Sequence, residues 1–441
     1  MHDTLLPPGA ALDAVFEVGL VTRVEGEGSL SLRVKDGRVE EAHLAIFEAP
    51  RYFEQLVIGR TPDEVIDIVA RICGICPIAY QMSAVHAFED RFGVAVAPET
   101  RLLRRLLYCG EWIESHALHV YFLHAPDFLG YPSAIELAKD HREVVEQGLA
   151  LKKTGNSIVK LLGGRPIHPV SVRVGGFSRA PRRTDVAALR PALEAAVTQA
   201  EATVRFVATL DAPDFEREPR LVALRHPTEY PFNDGRIVSS DGLDLPPGGW
   251  ETTFDEEHVP WSHALQAHMQ GGGRYLLGPA ARVSLDPGQL HPRAKALLLE
   301  TGLAGAIRRN PNWSIAARAI ELVHATSEAL EIADAYSPPD RPFEPWTAAP
   351  GVAAWSTEAP RGLLFHRYDI DERGLIAHAR IVPPTSQNQA AIEADLAAFA
   401  PSVLTLPHEA ATHRLEQLIR SYDPCISCAT HFLDLRVERE G

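Results

Sequence analysis

Cysteine is scarce in this chain, with five in 441 residues. So low and odd a count excludes the disulfide framework of small secreted domains. No run of about 18 apolar residues is present, which excludes a membrane-spanning helix and direct insertion into a bilayer. Cations are outnumbered: 43 Lys and Arg stand against 58 Asp and Glu, a net charge of -15. With no basic stripe, the electrostatic footprint that nucleic acid requires is missing. No G-x-G-x-x-G follows a strand, and "GGG" at 271–273 follows a stretch read as helical, so no nicotinamide or flavin site is expected. Internal repeats and low-complexity tracts are absent. The first residues carry acids and no Lys or Arg ahead of their apolar positions, so they lack a secretory n-region, and a cytoplasmic location is expected.

What is present is a globular composition, 46% hydrophobic and 23% charged. Residues 15–47 alternate as strands about a turn at Lys35-Asp36-Gly37. From Pro62 the period becomes helical, with Val65, Ile68, Val69 and Ile72 on one face. That helix is expected to run into "RICGIC" and to be interrupted at Pro77, resuming through "AYQMSAVHAFEDRFG". A long amphipathic helix carries Leu103, Leu106, Leu107, Ile113, Ala117, Val120 and Tyr121. Further helices are expected at 133–162, 184–210, 260–271, 288–307 and 313–336, with loops at 211–258 and 337–360. "GLLFHRYDID" and "LIAHARIV", about a turn at Glu372-Arg373-Gly374, read as a second small sheet. The expectation is an α+β fold, mainly α: one domain over 1–441, a helical core with small antiparallel sheets towards the chain ends.

Four of the five cysteines form two pairs, Cys73-x-x-Cys76 and Cys425-x-x-Cys428, near opposite ends. Each spacing lets two sulfurs converge from one turn of backbone. Together they suit a four-thiolate site for structural zinc, an iron-sulfur cluster or a less common soft-metal centre. Zinc usually ties a short loop, and a redox dithiol would leave one pair unexplained. Scattered buried cysteines behave as small hydrophobes, and unpaired Cys109 on the long helix is read that way.

The residues around the pairs sharpen the choice. "RVEGEG" at 23–28, "RYFE" at 51–54 before "RICGIC", "SHALHVYFLHAPDF" at 115–128, "APRGLL" at 359–364 with "PPTSQN" at 383–388, and "DPCISCATH" at 423–431 occur in one order. In these segments, which span nearly the whole chain, the sequence resembles the large, catalytic subunit of nickel-iron hydrogenases. "CPIAYQMSA" resembles the soluble cytoplasmic branch that serves NAD(P)-linked or sulfur-reducing complexes.

The resemblance implies reversible heterolytic cleavage of dihydrogen with removal of two electrons. It makes Cys73 and Cys425 terminal thiolates on nickel, and Cys76 and Cys428 bridges to an iron carrying CO and CN. Glu25 becomes the proton-relay carboxylate; read alone it is a surface acid near a turn. Arg361 becomes the arginine held over the metals, flanked by Asp127 and Asp423. Thr385 would donate to a cyanide nitrogen, with Pro384 helping to exclude water. Glu54 and His431 become ligands of a separate magnesium ion. His116 and His119, at i and i+3, are assigned to packing and hydrogen bonding rather than to metal.

Two departures stand out. Where the family has His two positions after the relay glutamate, this chain has Glu27, and where it has His four positions after the second cysteine, this chain has Tyr80. A phenol can hydrogen-bond a sulfur but cannot shuttle a proton near neutral pH as imidazole does. Residues 432–441 are expected to be a propeptide removed by a maturation endopeptidase, the alternative being a retained edge strand. With four cysteines committed, this chain keeps none for an iron-sulfur relay. Electrons are then expected to leave through a small iron-sulfur subunit and on through diaphorase-type flavin and iron-sulfur subunits. The rivals are a cofactor-free scaffold like the quinone-site subunit of respiratory complex I, which should lack the cysteine pairs, a hydrogen sensor with the same centre, and a plain zinc protein.

Overall fold

The computed structural model describes residues 14–36, 38–49 and 52–430. Strands Ala14–Val18, Gly28–Lys35 and Arg38–Ile46 form an antiparallel sheet in that order. Leu30, Leu32 and Val34 point inward while Arg33 and Lys35 face solvent, the period-2 pattern of a half-buried strand. This inner face packs on Ile392, Leu396, Leu415 and Ile419, so the start of the chain is covered by its end.

Thr61 opens the helix Pro62–Val69 with a capping box: Glu64 N–H donates to its hydroxyl, and Glu64 Oε2 accepts from Thr61 N–H at 2.9 Å. The helix ends before the first cysteine pair rather than running into it. Pro77 then starts the next helix, Pro77–Phe92, instead of interrupting one. Its fixed φ and missing N–H are tolerated at a first helical position, which is why a breaker in mid-helix is a starter here.

The long amphipathic helix is Pro98–Leu118, continued by a wider turn at His119–His124 and by Ala125–Leu129. It packs against Arg142–Gly163 and Ser314–Ala335 in the middle of the molecule. At Gly155 a Cβ would lie 2.5 Å from the Gly110 carbonyl oxygen. Two helix backbones touch there, so Gly155→Ala should destabilise the chain by about 1–3 kcal/mol, read as a lower denaturation midpoint with unchanged slope.

The segment 260–271, expected to be helical, contains a strand. Leu265–Met269 pairs antiparallel with Phe254–His258, and Gly271 and Gly272 follow at positive φ, where a helix cannot continue. The segments read as loops also hold strands: Val222–Arg225, Arg236–Ser239, Asp244–Leu245 and Gly351–Ala359. The last joins Gly362–Ile370 and Ile376–Val382 in a three-stranded sheet. Its Ser356, Thr357 and Glu358 are fully buried, so no hydrophobic alternation betrays it. Helices Pro384–Val403 and His408–Ser421 also went unanticipated; Pro384 sits at the first position of one, again as a starter.

Candidate metal centre

The loop between Val69 and Pro77 presents Cys73, whose sulfur accepts N–H bonds from Ile75 (3.3 Å) and Cys76 (3.4 Å). At the other end, Cys425 precedes the short helix Ile426–Ala429, which carries Cys428. Two contacts pin that end. Cys425 N–H donates to Thr385 Oγ1 at 2.9 Å, and Ile426 N–H donates to the Glu25 carbonyl at 2.8 Å. The chain can pass so close because Gly26 has φ +92 and no side chain: a Cβ would meet Ile426 at 2.8 Å.

These constraints bring together sulfurs 352 positions apart. Cys73 and Cys425 Sγ lie 3.6 Å apart, Cys76 and Cys428 Sγ 3.9 Å. All four lie within 4.8 Å of one another, and all are buried. A tetrahedron with metal-sulfur distances of about 2.3 Å has edges of about 3.8 Å; the two cross-chain pairs match that edge and Cys425 and Cys428 Sγ lie closer, at 2.6 Å, and four buried thiols so gathered suit a soft metal. Burial and the neighbouring sulfurs push the thiols of Cys425 and Cys428 up, whereas Cys73, accepting from the other three, is held well below the usual value.

Glu25 Oε2 accepts from Cys425 Sγ at 3.1 Å and from Ser427 N–H at 3.0 Å, placing a carboxylate directly on the cluster. Arg361 lies in the turn between strands Gly351–Ala359 and Gly362–Ile370. Its Nε donates to the Asp423 carbonyl (2.8 Å) and its Nη2 to Asp423 Oδ1 (3.0 Å). Burial would lower its pKa, but Asp423 and the cysteines override that and raise it, keeping the guanidinium charged. Arg361 Nη1 is buried without a protein partner, a donor left over for a group bound at the cluster. Thr385, having accepted from Cys425, keeps its own hydroxyl hydrogen to donate.

Asp127 does not flank Arg361. It binds Arg420 through two contacts, at 2.8 and 2.9 Å, and also pairs with Arg23. Both carboxylates recognise arginines, but motif order could not say which. Asp127 instead clamps the segment just before Glu25 to the helix end just before Asp423. His116 Nε2 meets Glu321 at 2.8 Å, and His119 Nε2 donates to the Arg420 carbonyl at 2.7 Å. Burial lowers the pKa of both rings, so they are neutral packing and hydrogen-bonding groups. Glu54 Oε1 accepts from Ile381 N–H at 2.6 Å and lines a cavity of about 210 Å³ with Ser427, Cys428 and Thr430. Its expected companion His431 lies outside the described residues, as do Arg51 and 432–441.

Tyr80 is fully buried and its hydroxyl has no protein partner. Burial, reinforced by the cysteine sulfurs, raises its pKa well above the phenol value, so it is a neutral donor. In the metal-free chain that donor is unmet, and Tyr80→Phe should raise stability by about 1 kcal/mol. Once thiolates are present to accept the bond, the same change should lower stability. Paired thermal melts check this, and equal shifts in both forms contradict it.

Several residues here gave no signal in the sequence. Glu111 accepts the N–H groups of Ile78 (2.6 Å) and Ala79 (3.2 Å), capping the helix after the first cysteine pair. Arg318 approaches Asp423 at 3.8 Å. Both are single charges within helical runs, where spacing says nothing.

A mainly helical chain folding its two ends around four buried thiols has the architecture of a hydrogenase large subunit. Residues 51–157 and 304–431 match the model of the nickel-dependent hydrogenase family, and the chain belongs to that family. It is 32% identical over 424 residues to the sulfhydrogenase 2 alpha subunit of Pyrococcus furiosus, a match covering 96% of this chain and 100% of that one. It is 26% identical to the beta subunit of the NAD-reducing hydrogenase HoxS of Cupriavidus necator, covering 94% of each. Among solved structures, an NAD+-reducing NiFe hydrogenase in the H2-reduced state superposes with a TM-score of 0.86 at 26% identity, over 95% of this chain and 99% of that one. A NiFeSe hydrogenase of Desulfovibrio vulgaris Hildenborough reaches 0.78 at 22% identity, a likeness of fold. No helix among the described residues is long and apolar enough to cross a membrane.

Proposed function

We propose that this chain is the catalytic subunit of a cytoplasmic nickel-iron hydrogenase, cleaving dihydrogen heterolytically and reversibly and passing electrons to an iron-sulfur partner subunit and on to NAD(P). The observation that carries the reading is the meeting of Cys73, Cys76, Cys425 and Cys428 beside Glu25 and Arg361. Cys73 and Cys425 would hold nickel, and Cys76 and Cys428 would bridge it to an iron bearing CO and CN. When bound, that pair supplies Lewis-acid polarisation of dihydrogen and a sink for its electrons.

The chain's own residues supply the rest. The sulfur of Cys425, 3.1 Å from Glu25 Oε2, is placed to hand a proton to that carboxylate. Arg361, fixed by Asp423 and still charged, offers its free Nη1 to a ligand of the site and offsets the thiolate charge. Thr385 would donate to a cyanide nitrogen, and Pro384 beside it would help to exclude water. Glu54 with His431 would hold magnesium. The 432–441 tail would be removed by a maturation endopeptidase. An iron-sulfur subunit and diaphorase-type flavin subunits would complete the electron path, and the names of the NAD-reducing relatives support NAD as its end.

The test is hydrogen-dependent reduction, by the chain purified with its partner subunits, of a viologen dye and of NAD or NADP. Dye reduction without nicotinamide reduction would retain the hydrogenase and reject the acceptor. Neither reduction, in nickel-loaded protein, would favour a hydrogen sensor.

A further inference from the structure

Arg282, on the helix Pro279–Leu285, is fully buried and uses every donor it has. Nε and Nη2 meet Glu321 Oε1 and Oε2 at 2.7 and 2.8 Å. Nη1 meets Glu358 Oε2 at 2.8 Å and the Ala359 carbonyl at 3.0 Å, and Nη2 meets the Pro360 carbonyl at 2.9 Å. The planar fork is held in turn: its guanidinium carbon lies 4.2 Å over the Trp112 ring. Glu321 accepts from Tyr230 OH at 2.7 Å and meets His116 at 2.8 Å, and Glu358 accepts from Leu224 N–H at 2.7 Å. Burial alone would raise the pKa of Glu321, but Arg282 holds it at about 2, so the carboxylate is ionised.

The two carbonyls that Arg282 grips belong to the residues immediately before Arg361. From the other side the same turn is packed backbone to backbone. A Cβ on Gly278 would lie 2.9 Å from the Arg361 carbonyl oxygen, and one on Gly362 would lie 2.9 Å from Gly278 N. The start of the Arg282 helix and the Arg361 turn meet through the backbone at Gly278, with Leu277 Cβ 2.6 Å from where a Gly362 Cβ would lie, so a shift at one is passed to the other.

Resting on the hydrogenase reading above, we infer that Arg282, clamped between Glu321 and Glu358, is a positioning residue that sets where the Arg361 guanidinium sits over the sulfur cluster. Lysine cannot replace it. An ammonium has three donors radiating from one point and cannot hold two carboxylates and two successive carbonyls at once. A displacement of about 1 Å at a reacting site can cost about 10²-fold in rate.

The experiment is a double-mutant cycle of Arg282→Lys and Arg361→Lys in nickel-loaded complex. It reads turnover per nickel, KM for hydrogen, and the infrared bands of the iron's diatomic ligands. Expected for Arg282→Lys are nickel at the wild-type level, kcat down by about 10- to 100-fold with KM changed less than about threefold, and displaced bands. In the Arg361→Lys background, Arg282→Lys should add less than about twofold and no further band shift, because it acts through Arg361. Wild-type turnover and bands in Arg282→Lys, or full additivity with Arg361→Lys, overturn the inference. Should Arg282→Lys not fold, Glu321→Gln, which turns an amide donor towards the guanidinium, carries the same comparison. If the wild-type protein itself lacks nickel, the hydrogenase reading fails by itself. The inference is then decided by the crystal structure of metal-free Arg282→Lys: Arg361 leaving Asp423 supports it, and Arg361 in place overturns it.

Discussion

Replacing Cys425 by serine leaves a folded chain that holds no nickel and has lost at least about 10³-fold in hydrogen-dependent dye reduction, or about 4 kcal/mol of barrier. A serine hydroxyl does not ionise to a soft donor as a thiol does, so one corner of the cluster is lost to a soft metal. Fold and function separate at this position because the backbone there is held by other atoms. Cys425 N–H still bonds Thr385, and Ile426 N–H still bonds the Glu25 carbonyl. Cys109→Ser is the control. That thiol is equally buried, in helix core, and burial raises its pKa. It should cost about 1 kcal/mol of stability for burying a hydroxyl and keep both nickel and activity. Metal analysis and dye assays on the two variants decide the matter, and equal effects on nickel would remove the distinction on which the site rests.

Glu25→Gln should keep nickel and lower kcat by about 10²- to 10⁴-fold, the range of general acid-base contributions. The amide is isosteric, and its oxygen can still accept the Ser427 N–H bond that the carboxylate accepts at 3.0 Å. What it cannot do is take up the proton that the cysteine sulfur 3.1 Å away would release. The change should therefore fall on turnover, leaving metal content and thermal midpoint near wild type. Glu25→Asp, which retains a titratable carboxyl on a shorter arm, should recover part of the rate. A Gln variant with wild-type turnover would show that protons leave by another route.

Much of this was legible in residue order. The cysteine pairs, Glu25 and Arg361 with Asp423 were expected together and lie together, because each sits in a short motif whose neighbours serve the same site. Tyr80 was flagged as a departure, and its hydroxyl lies buried with no protein partner. The partner of Asp127 was misread, since motif order names the carboxylate but not which of three arginines it meets. Arg282, Glu321, Glu358 and Glu111 left no trace: each is one charge in a helix or strand, made meaningful by neighbours tens to hundreds of positions away. In the fold, the alternating strands within 15–47 and those about the turn at 372–374 were read correctly, whereas Leu265–Met269 was read as helix. Gly351–Ala359 was missed, because its polar side chains Ser356, Thr357 and Glu358 are buried, two of them bonded from outside the strand, as where Thr357 meets Ser83 at 2.7 Å. One proline misled. Pro77 occupies a first helical position, where the penalty of the interior does not apply.

The central claim is that sulfurs from opposite ends of the chain hold one buried nickel-iron pair. Elemental analysis joined to infrared spectroscopy, on protein co-expressed with its partners, tests it most directly. About one nickel per chain, accompanied by iron and by bands of metal-bound CO and CN, is the predicted result. Stoichiometric zinc on the four cysteines, with neither nickel nor those bands, would contradict it.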